Sequence, residues 1–81
     1  MPAEPEYDDD FQLGRNLRRL RKRAGLTQAQ VADSMTSAGF PTWHQTTVGR
    51  AELGERHFKY AEVVKLAEIL GVEASALAAD R

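Results

Sequence analysis

Residues 44–54 read HQTTVGRAELG, and the polar members of this stretch suit one kind of chemistry. Glutamine spans adenine N6 and N7, arginine spans guanine O6 and N7, and threonine meets the thymine methyl group. At 3.6 residues per turn, Val48 and Ala51 share one side of a helix. Gln45, Thr46, Gly49 and Arg50 are left on the opposite side. The major groove of B-DNA, ~12 Å wide, admits one α-helix, so this face suits base edges. Gly49 has two readings. Without a side chain it permits close approach to the groove, or it merely weakens an exposed helix by ~1 kcal/mol relative to alanine.

Other chemistry finds little support. There is no cysteine, and His44 and His57 stand thirteen positions apart, with no metal-ligand pattern around them. No Ser/His/Asp set or carboxylate pair has a workable context, so an enzyme is not expected, nor is a cofactor or a metal. No apolar run approaches the ~20 residues of a membrane span and no charged-then-apolar leader is visible, which makes a cytoplasmic protein the expectation. The net charge of −1 is ill-suited to a polyanionic partner until its distribution is read. Residues 1–10 carry five acids and no base, leaving the remainder with seven acids, eleven bases and a net charge of +4. Six of those bases fall between Arg15 and Arg23.

The elements that would position these residues are all helical. Residues 1–10, with two prolines and five acids, read as a disordered acidic tail, with Asp9 or Asp10 placed to help the start of the first helix. Residues 11–81 read as one domain. In helix 1, Leu13, Leu17, Leu20 and Ala24 form the apolar stripe, and Gly25 ends it. Thr27 and Gln30 have capping-box spacing, flanked by the staple positions Leu26 and Val31. Val31, Met35 and Ala38 continue as the stripe of helix 2, which Gly39 and Pro41 close. Helix 3 covers about residues 45–53, with Leu53 near its end and Gly54 as its stop. Helix 4 has the stripe Tyr60, Val63, Val64, Ala67 and Leu70, ended by Gly71, and a weak fifth helix is led by Leu77. Nothing reads as a strand.

Two stretches, LGRNLRRLRKRAGLTQAQVA and TTVGRAELGERHFKYAEVVKLAEILGV, resemble the helix-turn-helix domain of the XRE family, the fold of lambda-type phage repressors and Cro. The resemblance covers roughly residues 11–77 and implies an all-α, five-helix lambda-repressor-like domain. The spacing from Ala32 to Val48 is 16, about six residues longer than the family's. The added length falls in TSAGFPTW and is similar to variants with an extended helix 2 and turn, typical of actinobacterial regulators.

By that resemblance, Gln28 at the start of helix 2 bonds a DNA phosphate, a position where free backbone N–H groups favour an anion in any case. Arg56, His57 and Lys59 then form a basic loop that contacts further phosphates, positioning the protein without specifying sequence. Arg21 and Glu52 form a structural ion pair between helices 1 and 3. Trp43 takes a buried position ahead of helix 3, although Trp43 and Phe40 could also stack on single-stranded bases. Phe58 packs against helix 4. The remaining cations of helix 1, Arg15, Arg18, Arg19, Lys22 and Arg23, form a solvated face or touch the DNA backbone.

The implied function is a sequence-specific double-stranded DNA-binding transcriptional regulator, a repressor, bound to a near-palindromic operator as a homodimer. Helix 5 and the stretch ASALAADR, with an exposed Leu77 and its alanines, would supply the dimer surface. The alternatives are a restriction–modification regulator, an antitoxin or other protein-interaction module using the same fold, or an adaptor that no longer binds DNA. The acidic tail either keeps a basic domain soluble or competes with DNA for the basic surface.

Overall fold

The capping box at Thr27 forms in full. Thr27 Oγ1 accepts from Gln30 N at 3.0 Å, and Gln30 Oε1 accepts from Thr27 N at 2.8 Å. This reciprocal pair fixes where the second helix begins. The computed structural model describes residues 10–79, which form α1 (Asp10–Arg23), α2 (Gln28–Ser37), α3 (Gln45–Glu52), α4 (Tyr60–Leu70) and α5 (Ala74–Leu77). No strand occurs among the described residues. The expected tail lies outside them except for Asp10, which opens α1. Asp10 is the acid in the first turn of α1, and its Oδ1 also accepts from Phe58 N at 3.2 Å, tying α1 to the α3–α4 loop.

The stripes converge on one core. Leu17, Val31, Met35, Trp43, Val48, Val63, Leu66 and Leu77 are wholly buried within it. α1 lies along α3, α2 packs on α3 and α4, and α5 folds back against α4 and α1. The contact of α1 with α3 is so close that a Cβ at Gly14 would collide with the carbonyl oxygen of Ala51. Any larger residue at position 14 would push the two helices apart. Gly71 closes α4 in the left-handed region, at φ 72°, where glycine alone is unstrained.

Three stripe positions are exposed instead: Ala24, Ala38 and Tyr60. Ala24 and Ala38 follow the last residues of α1 and α2, where the helical period has already stopped. Tyr60 is the first residue of α4. Its expected place in the core is taken by Phe58, whose ring lies 6.3 Å from that of Trp43.

Leu77 corrects a second expectation. It is fully buried, not exposed, because α5 folds back on α4 and α1. The side-chain amide of buried Asn16 donates to the carbonyls of Leu77 and Ala79, both at 2.7 Å. Asn16 thus satisfies the last carbonyl of α5, which a short helix leaves open, and one just beyond the helix. With Leu77 inside, it is not available to a dimer surface on α5.

Candidate nucleic-acid interface

α3 divides into two sides. Val48 and Ala51 are wholly buried, whereas Gln45, Thr46 and Arg50 are exposed. Thr47 belongs to neither. Its hydroxyl accepts from His44 N at 3.1 Å and donates to Thr42 O at 3.0 Å, securing the first turn of the helix. The longer connection, residues 38–44, is anchored by Trp43, whose indole N–H donates to Glu62 Oε2 at 2.9 Å. Such a buried indole cannot stack on a base, and Phe40 is half-buried against the same core. The added residues therefore do not leave α3 loosely tethered.

Beneath the exposed side sits a buried carboxylate. Glu52 accepts from Nε and Nη2 of Arg21, and from Gln28 Nε2 at 3.1 Å. Arg21 Nη1 also donates to Leu26 O at 3.0 Å. One carboxylate thus holds α1, α2 and α3 in a fixed relation. A buried pair of this kind is costly to break, because the partner's charge is stranded. Gln28 lies against Gly49: a Cβ at position 49 would sit 3.6 Å from Gln28 Nε2, an ordinary contact. One side of Gly49 therefore faces α2. Around this point Arg18, Lys22, Gln28, Thr46 and Arg50 line an open concavity of about 690 Å³, with Gly49 and Glu52 among its walls. Leu53, expected near the helix end, is 60% exposed at its rim.

The α3–α4 loop separates the three residues expected to act together. Arg56 turns inward. Its guanidinium makes a two-pronged pair with Glu62 at 2.9 and 3.0 Å, donates to His57 O at 2.9 Å, and lies 4.6 Å from the Trp43 ring centre. The side chain of His57 is 71% exposed, with Nδ1 3.2 Å from Asp10 Oδ2. Lys59 is exposed, and its backbone N–H donates to Glu62 Oε1 at 2.9 Å. Burial alone would raise the Glu62 pKa; the hydrogen bonds from Arg56, Lys59 N and Trp43, with the charge of Arg56, outweigh it and hold the carboxyl below its ordinary value.

Sequence reasoning missed Glu62 and Asn16. Glu62 stands three residues after Lys59, the spacing of a capping box, but lysine cannot supply the hydroxyl that makes the pattern visible. Trp43 offered a second signal, since a buried indole N–H needs an acceptor. Asn16 carried none, because its partners lie more than sixty residues away.

The helix-turn-helix domain family matches residues 12–79. No curated protein matches the chain. Among solved structures, the chain is similar to the restriction-modification controller protein C.AhdI from Aeromonas hydrophila. That match has 30% identity and a TM-score of 0.72, and covers 85% of this chain and 96% of that one. It is also similar to the DNA-binding domain of BldD, at 30% identity and a TM-score of 0.69, covering 90% of this chain and 97% of that one. Among the described residues no helix is long and apolar enough to cross a membrane. The five-helix architecture, the match to residues 12–79 and the likeness to these proteins lead to one conclusion: the chain belongs to the helix-turn-helix domain family and is a DNA-binding domain of the kind found in XRE-like regulators.

Proposed function

We propose that this domain is a sequence-specific regulator of transcription, acting as a repressor, that reads duplex DNA through the exposed side of α3. One observation carries the proposal. Gln45, Thr46 and Arg50 stand exposed on a short helix whose other side is wholly buried, braced from beneath by Glu52. Arg50 and Gln45 provide bidentate readout, and Thr46 the apolar and hydroxyl contact. Gln28, with the first-turn N–H groups of α2, holds a phosphate beside the groove. Lys59 and His57 hold others from the α3–α4 loop. The function is binding without catalysis, in the cytoplasm.

The described residues span 37 Å at their longest, about one helical turn of DNA. Two copies on adjacent half-sites would suit a near-palindromic operator. The likeness to a restriction-modification controller and to the DNA-binding domain of BldD supports a regulatory role. Selection of bound duplexes from a random pool tests the proposal. An enriched, near-palindromic motif is expected, and a pool that remains random contradicts it.

A further inference from the structure

The cations of α1 are not equivalent. Arg21 is buried on Glu52. Arg15 lies over the ring of Phe11, 5.9 Å from its centre. Arg19 Nη2 reaches Asn16 Oδ1 at 3.4 Å, on the side that faces α5. Arg23 lines a separate hollow of about 200 Å³ with Leu20, Ala24, Leu70 and Val72. Arg18 and Lys22, together with the ion-paired Arg21, line the concavity that also holds Gln28, Thr46 and Arg50.

We propose that Arg18 and Lys22 form a phosphate-binding row that extends the DNA interface from α3 onto α1. This rests on the DNA-binding function proposed above. Both side chains are exposed, and neither has an ion pair among the described residues. Arg21 and Glu52 cancel each other within the concavity, so its remaining charges are those of Arg18, Lys22 and Arg50. Four residues apart, Arg18 and Lys22 share a helix face with ~6 Å of rise between them. One DNA strand presents a phosphate every ~3.4 Å along the axis, so the row can follow one strand as α3 enters the groove. Gln28 marks the same side from the start of α2. These contacts would position the domain and strengthen binding to every sequence alike.

α1 supplies its own control. Arg19 and Arg23 form a second exposed row with the same spacing, rotated ~100° away. The double variants R18Q/K22Q and R19Q/R23Q change the net charge identically but remove different rows. Affinity for the selected duplex is measured over a salt series for both variants and the wild type, with melting curves to establish that each is folded. R18Q/K22Q should lower the slope of log K against log salt by about 2, close to 0.9 per lost contact. R19Q/R23Q should leave it within a few tenths of the wild-type value. Equal slopes for both doubles, or an unchanged slope for R18Q/K22Q beside a wild type that binds, would overturn the assignment to α1 alone. A wild type that binds no duplex would overturn the DNA-binding function, and this inference with it.

Discussion

Two buried carboxylates, Glu52 and Glu62, each hold an arginine and each lie close to the proposed DNA surface, yet they do opposite things to it. Glu52 joins Arg21 and Gln28 beneath α3 and leaves Gln45, Thr46 and Arg50 exposed above it. Glu62 draws Arg56 inward onto Trp43, removing a cation from the loop that would otherwise present it. In a basic segment, a neighbouring buried acid therefore decides which cations face outward. The first carboxylate braces a reading surface. The second fastens the connection that leads into it, since Glu62 also holds the Trp43 indole and Lys59 N.

The largest effect expected from breaking this comparison is on stability. Glu52→Ala strands Arg21, whose side chain is only 10% exposed, and should cost ~3–5 kcal/mol in a denaturant titration. Glu62→Ala strands the more accessible Arg56 and should fall toward the lower end of that range. Equal, negligible losses would show that neither carboxylate organises the fold.

Acid should act on the second carboxylate. The Glu62 pKa lies below its ordinary value of 4.5, so its stabilising contribution is fully present above about pH 4.5 and is lost as pH falls through the lower folded-state value. Glu62→Gln should flatten that acid limb in melting curves taken from pH 6 to pH 2. An identical limb in the variant would place the acid sensitivity elsewhere.

The smallest effect separates the two loop cations. Lys59→Gln should reduce the salt slope of DNA binding by about 1. Arg56→Gln should leave the slope unchanged while lowering the melting temperature. Reversed behaviour would mean that Arg56 leaves Glu62 to meet a phosphate.

Local signals were legible in the sequence. The Thr27–Gln30 box and the α3 stripe of Val48 and Ala51 depend on spacings of three residues, and both formed. Arg21 and Glu52, thirty-one residues apart, were reached through resemblance, and they pair. What spacing could not show was the return of the chain. Leu77 is buried because α5 folds onto α4 and α1, and Asn16 finds its carbonyl partners because α5 ends beside it. Arg56 looked like Lys59 because nothing in GERHFK shows that an acid six residues after Arg56 points back at it. The longer connection before α3 was visible as a count, but not the bond from Trp43 to Glu62 or the bond from Thr47 to Thr42 O that help to anchor it.

The central claim is that one short helix is core on one side and reader on the other. Duplex selection with the wild type and with Arg50→Ala tests it most directly. The account predicts that the variant keeps the motif but relaxes a single base position per half-site, by ~1–3 kcal/mol. A motif unchanged at every position would contradict it, because the exposed side of α3 would then not be reading the sequence.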